Sequence, residues 1–216
     1  MKFPQRKSLL LTFAIAYFVA VIAATSPNQA SAQLDDDHPF RLTSSTFAND
    51  STLPISAIDN IVANGVNACS IDGSTGGDRS PQLSWTNVPE HTRTFVVVAY
   101  DITAAFTHWG MYNIPATRRG LPENAGVAGS KYGTQVVNDF FVAAEYDGPC
   151  PPANVAPDVH KYVFTVYALD TRLTLQGSAN FPPSAETLYH ALIAAGEHRH
   201  ILATASLAGL YSTTPN

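Results

Sequence analysis

Short runs of β-branched and aromatic residues, each closed by glycine, proline, asparagine or aspartate, recur along most of the 216-residue chain. Such runs fit a pleated, half-buried backbone and predict strands at residues 40–42, 82–85, 94–100, 109–114, 140–146 and 162–169. The stretches 95–100 and 162–169 lack polar alternation, so both are expected to be central strands covered on two faces. Nearer the C-terminus the pattern changes period. Ser184 is placed to cap a helix running to Ala195, with Glu186 in its first turn, Leu188, Leu192 and Ile193 on one face, and Gly196 at its end. A short helical turn over 199–204 and a last strand over 207–211 complete the reading. Helix is the minority element, and the predicted fold class is mainly β: a β-sandwich with peripheral C-terminal helices.

The first residues follow a different rule. Lys2, Arg6 and Lys7 precede an apolar run over 9–24, and a small, polar segment ends in Ala30-Ser31-Ala32. That is the layout of a secretory signal peptide, with cleavage expected before Gln33 and an uncleaved anchor as the alternative. Residues 33–216 then make one expected domain, able to bury about 70% of its extended surface without metal or extensive cross-linking. No later segment reaches the roughly 18 apolar residues a membrane helix needs, so no span is expected after cleavage. Removing a leader with three basic and no acidic residues leaves 9 basic against 17 acidic residues, a formal charge of −8. That balance repels nucleic acid and anionic membranes. Asp35, Asp36 and Asp37 read as a solvated tail, with a weak cation site as the alternative. The chain holds two cysteines, Cys69 and Cys150, and export to a periplasmic or extracellular location would carry both to a place where thiols oxidise. A disulfide between them is expected, worth roughly 4 kcal/mol in the chain-entropy model; two separate buried thiols are the alternative.

Candidate chemistry begins where the run over 94–100 ends at Asp101 and the next begins near His108. A hairpin joining them would bring the two side chains to one rim, with Cβ atoms about 5 Å apart, so that the carboxylate orients the imidazole and favours its charged form. A surface histidine beside a turn aspartate is the plainer alternative. Further on, Tyr146-Asp147-Gly148-Pro149-Cys150-Pro151-Pro152 forms a constrained loop whose prolines delete three N–H donors. The amides of Asp147, Gly148 and Cys150 remain, and Gly148 would let backbone approach a ligand with no side chain between. His160 and Tyr162 follow at the start of a predicted central strand. His198 and His200 have a metal-chelating spacing, and Asp101, His108 and His160 could form a two-histidine, one-carboxylate site. No Gly-x-Ser-x-Gly elbow, Walker-type loop, zinc-protease motif or Cys-x-x-Cys occurs, so the common hydrolase, nucleotide and redox readings lack support.

Taken in order, Ser80-Pro81-Gln82-Leu83-Ser84-Trp85, Tyr100-Asp101, His108-Trp109, Tyr112-Asn113-Ile114-Pro115, Asn138-Asp139, Gly148-Pro149-Cys150-Pro151-Pro152 and His160-Lys161-Tyr162 resemble the landmarks of the phosphatidylethanolamine-binding protein family, specifically its secreted bacterial branch labelled Raf kinase inhibitor-like. The resemblance covers nearly all of residues 33–216. It implies a large central sheet packed on a smaller one, with a small polar pocket at one end for phosphate-type anions and phospholipid head groups. The implied ligand-binding residues are Asp101, His108, Tyr146, Gly148, Cys150, Pro151, Pro152, His160 and Tyr162, with Trp109 supporting the wall and neither metal nor other cofactor. Two departures stand out. The family writes Asp-Pro-Asp-Ala-Pro where this chain has Asp101-Ile102-Thr103-Ala104-Ala105, which predicts a looser, less acidic rim. Lys161 replaces an arginine, keeping the charge but losing the bidentate donor set. The expected function is that of a binding protein rather than an enzyme. An inhibitor or modulator of a protease or kinase, acting through protein contacts, is one alternative. An acid-base enzyme using Asp101, His108 and His160 on a phosphorylated small molecule is the other.

Overall fold

The computed structural model describes residues 39–178 and 182–214, so the leader at 1–32 and the acidic run at 35–37 lie outside the described residues. Among the described residues the strands are, in chain order, β1 (Arg41–Thr43), β2 (Ser51–Thr52), β3 (Val62–Ala63), β4 (Val66–Asn67), β5 (Leu83–Thr86), β6 (Thr94–Asp101), β7 (Phe106–Pro115), β8 (Gly120–Leu121), β9 (Thr134–Gln135), β10 (His160–Leu169) and β11 (Ile201–Tyr211). A 3-10 turn at Ile55–Ala57 and one helix, α1 (Ala185–Glu197), accompany them. Six strands form a large sheet in the order β2-β11-β10-β6-β7-β9, three form a small sheet β1-β5-β8, and β3 pairs with β4.

Strand alternation sorts the side chains of the large sheet onto two faces. Phe95, Val97 and Ala99 of β6 point the same way as Tyr162, Phe164 and Val166 of β10, and with Trp109 they bury against Leu42, Leu83 and Trp85 of the small sheet. Trp85 and Phe95 meet with ring centroids 5.0 Å apart. The two sheets therefore enclose the main core. On the opposite face Val96, Tyr112 and Leu169 pack beneath Leu188, Leu192 and Ala195 of α1.

Coverage of that second face is only partial. Tyr100 is 36% exposed, and Val163, Thr165 and Tyr167 are half-buried, so β10 alternates where its sequence predicts two covered faces. One helix about 10 Å across cannot shield six strands spaced about 4.8 Å apart. Ser184 caps α1 as expected, in a capping box completed by Thr187. Ile193 is 43% exposed, because five residues from Leu188 turn it away from the buried stripe. The helix runs past Gly196, and the left-handed cap position is taken by Arg199 at φ 59°, with the His200 amide donating to the Ala195 carbonyl.

Two further expectations are corrected. Residues 140–146 form no strand despite their aromatic and β-branched content. The short helical turn at 199–204 is absent, because β11 begins at Ile201 and pairs along the whole of β10, from His160 opposite Tyr211 to Leu169 opposite Ile201. That pairing satisfies the backbone groups of an alanine-rich stretch that could locally have gone helical. Cys69 and Cys150 form the expected disulfide, with Cα atoms 4.5 Å apart across 81 residues. Among the described residues no helix is long and apolar enough to cross a membrane.

Candidate functional site

Register brings the first functional side chains together. Asp101, the last residue of β6, pairs opposite Tyr162 of β10, and His160 precedes Tyr162 by two, so all three project from one face at one end of the sheet. His160 Nδ1–H donates to Asp101 Oδ2 at 2.6 Å. The other oxygen, Oδ1, accepts from the amides of Thr103 at 2.8 Å and Ala104 at 3.1 Å. The turn that lacks the usual prolines is closed instead by hydrogen bonds: the Ile102 amide donates to the Lys161 carbonyl at 3.0 Å, a bond proline could not make, and the Lys161 amide donates to Thr103 Oγ1 at 3.0 Å. Lys161 Nζ reaches Asp50 at 2.8 Å in an exposed pair.

His108 arrives by a different device. Ala99 pairs with Trp109 and Tyr100 with Thr107, so His108 is the extra residue of a β-bulge in β7. Without the bulge, alternation would place His108 and Trp109 on opposite faces; with it, His108 joins the core side and packs edge-on to Tyr162, centroids 5.2 Å apart. Its Nδ1–H donates to the carbonyl of Asp147 at 2.8 Å. The expected Asp101–His108 partnership is thus replaced by Asp101–His160 and Asp147–His108, because Asp101 pairs with Phe106 across a shorter turn.

Asp101, His108, Cys150, Pro151, Pro152, His160 and Tyr162 line one cavity of about 180 Å³, together with Ala104, Phe106 and Phe140. Tyr146 and Gly148 stand behind it. Tyr146 is buried, donates its hydroxyl to the Ala57 carbonyl at 2.8 Å and meets Trp109 edge-on. A Cβ on Gly148 would lie 2.3 Å from the Ala57 carbonyl oxygen, so the glycine is required for backbone packing rather than ligand approach. Two of the three loop amides are also committed, Asp147 N–H to the His108 carbonyl at 3.1 Å and Gly148 N–H to Asp78 Oδ1 at 2.7 Å. The Asp147–Gly148 peptide is therefore held at both ends, by Asp78 and by the His108 ring. Buried Asn138 braces the same loop through Asp147 Oδ2 and the Glu145 carbonyl.

Burial sets the protonation states. It lowers the pKa of His108 against the opposing pull of the Asp147 carbonyl and the Asp101 charge, so the ring is neutral at pH 7. A carbonyl only accepts, so Nδ1 carries the ring proton and Nε2 is left as a bare acceptor. Burial, then the charge of Asp101, raises Tyr162 far above the ordinary phenol and keeps it a donor. Asp78 is pushed up to about 7, first by burial and then by the charges of Asp59, Asp147 and Glu145, against the opposing Gly148 bond.

Phe106, Phe140 and Asp78 escape the sequence reading. Both phenylalanines adjoin residues it singles out, His108 and Asn138-Asp139. Asp78 carries no local signal, since its contact with Gly148 spans 70 residues. His198 and His200 have ring centroids 6.3 Å apart, and His200 Nδ1 is bonded to Asp170 at 2.8 Å, at the corner leading into β11. A wider depression of about 580 Å³ lies on the opposite sheet face, between Tyr100, Val163 and Tyr167 and the exposed Tyr189 of α1.

A two-sheet fold with a small histidine cavity at one sheet end, walled by a proline loop, defines a class of β-sheet binding proteins. The family model for phosphatidylethanolamine-binding protein matches residues 43–212, and the chain belongs to that family. It is 33% identical over 147 residues to the YbhB protein of Escherichia coli (strain K12), covering 65% of this chain and 85% of that one. A protein of Methanothermobacter thermautotrophicus is 38% identical over 141 residues, covering 63% and 84%. Among solved structures, Escherichia coli YbcL, described as a new member of the mammalian PEBP family, aligns over 81% of this chain and 99% of its own with a TM-score of 0.64 and 29% identity.

Proposed function

We propose that the protein is exported after loss of residues 1–32 and that its 180 Å³ cavity holds a phosphate-type anion or a phospholipid head group without turning it over. The observation that carries this reading is the shared orientation of two imidazoles: each commits Nδ1 to an acceptor within the fold, at 2.6 Å and 2.8 Å, which leaves Nε2 for a ligand in the cavity both rings line. His160 and two amides occupy the oxygens of Asp101, which lessens its repulsion of an anion in the cavity. The same occupancy argues against Asp101 as the receptor of a head-group ammonium. The rings of Phe106, Phe140 and Tyr162 are better placed, since an aromatic face attracts a cation.

Phosphate titration of Asp101→Asn and His108→Ala proteins tests the reading: both should bind more weakly, and unchanged affinity in both removes the mechanism. The Asp101–His160 bond also has the geometry that orients a general base. Hydrolysis of phosphoethanolamine by the native protein, lost in His160→Ala, would establish an enzyme instead.

A further inference from the structure

The two histidines of the cavity differ in what they can offer a ligand. His160 bonds a carboxylate, that of Asp101, at 2.6 Å. His108 bonds a neutral carbonyl, is 4% exposed, and sits among Phe106, Phe140 and Tyr162, where a ring charge is desolvated. The titratable and charged groups that bear on it are Asp101 on β6, His160 and Tyr162 on β10, and Asp147 on the proline loop, all placed above. Among the described residues lining the cavity none is lysine or arginine. The site therefore sets a ring held by a carboxylate beside a ring that is a bare acceptor, in surroundings with no excess positive charge.

A fully ionised oxyanion has only lone pairs to present, and a lone pair facing His108 Nε2 is repelled. A phosphate carrying one proton presents both a P–O⁻ for the His160 side and a P–OH for the His108 side. We propose, resting on the anion-binding reading above, that the cavity selects phosphate and phosphate monoesters in their singly protonated form, with His108 Nε2 accepting the ligand's hydroxyl, and discriminates against sulfate and phosphodiesters. The lowered His108 pKa agrees, since it keeps the acceptor in place at neutral pH. Phosphodiester lipids then rank below monoester head-group fragments as occupants of this cavity.

The test is calorimetric titration of the purified protein with inorganic phosphate, phosphoethanolamine, sulfate and dimethyl phosphate at pH 6 and pH 8. The first two should bind about tenfold or more tightly than the last two at pH 6, because a buried acceptor left facing an oxygen rejects the analogue lacking the hydroxyl. The affinity of phosphoethanolamine should fall by about 50-fold between pH 6 and pH 8 as a monoester with a second ionisation near 6 loses its proton. In His108→Asn, whose amide can turn either a donor or an acceptor toward the ligand, the preference should collapse. Equal binding of sulfate and phosphate by the native protein at pH 6 overturns this inference while leaving an anion site in place. Binding of none of the four overturns both readings.

Discussion

Replacing Asp78 with asparagine removes a charge while keeping the oxygen that accepts the Gly148 amide at 2.7 Å. In the folded protein this carboxyl holds its proton to about pH 7, against an ordinary 3.8, mainly because burial penalises the charged form. Between those values the folded state binds more protons than the unfolded one, so the contribution of Asp78 to stability falls as pH rises through this window and is level above it. At about 1.4 kcal/mol for each tenfold change in proton affinity, the full linkage is about 4 kcal/mol. Asp78 is only half-buried, and solvent screening reduces this to about 1–2 kcal/mol. Asp78→Asn should therefore be only slightly more stable than the native protein at pH 5, where about a third of the linkage has been lost, and more stable by about 1–2 kcal/mol at pH 8. Urea unfolding followed through Trp85 and Trp109 fluorescence at pH 5, 6, 7 and 8 reads the difference directly. A stability difference that does not change with pH, or a variant that weakens further as pH rises, refutes the assignment of Asp78 as a carboxyl kept neutral by its surroundings.

Other substitutions report on separate parts of the fold. Gly148→Ala drives a methyl group into the Ala57–Asp59 backbone, 2.3–2.5 Å from its nearest atoms, and should lower unfolding free energy by about 2–3 kcal/mol in chemical denaturation. Replacing both cysteines with serine opens the loop between Cys69 and Cys150 and should cost about 4 kcal/mol on the chain-entropy argument; a loss below about 1 kcal/mol would show that the unfolded state is already compact. Ser184→Ala removes the α1 cap and should cost about 1 kcal/mol, with faster amide exchange in the first helical turn.

The sequence by itself determined the elements whose local pattern is strong. Apolar runs set β6 and β10, Ser184 set the start of α1, and paired landmarks around Asp101, His108, the proline loop and His160 marked the cavity wall. The disulfide was legible as well, from the cysteine count and the expected export. Tertiary structure decided what depends on distant partners. Residues 201–206 are strand because β10 offers them a full ladder, and 140–146 are not because no strand pairs there, although local propensity points the other way in both places. Asp101 chose His160, 59 residues away, over His108 because the β6–β7 turn is short enough that Phe106, not His108, stands opposite Asp101. Gly148 proved to be a packing residue under the control of Asp78 for the same reason: periodicity along the chain fixes which way a side chain points within its own element, while the identity of the atom it meets is set by register and bulges between segments far apart in sequence.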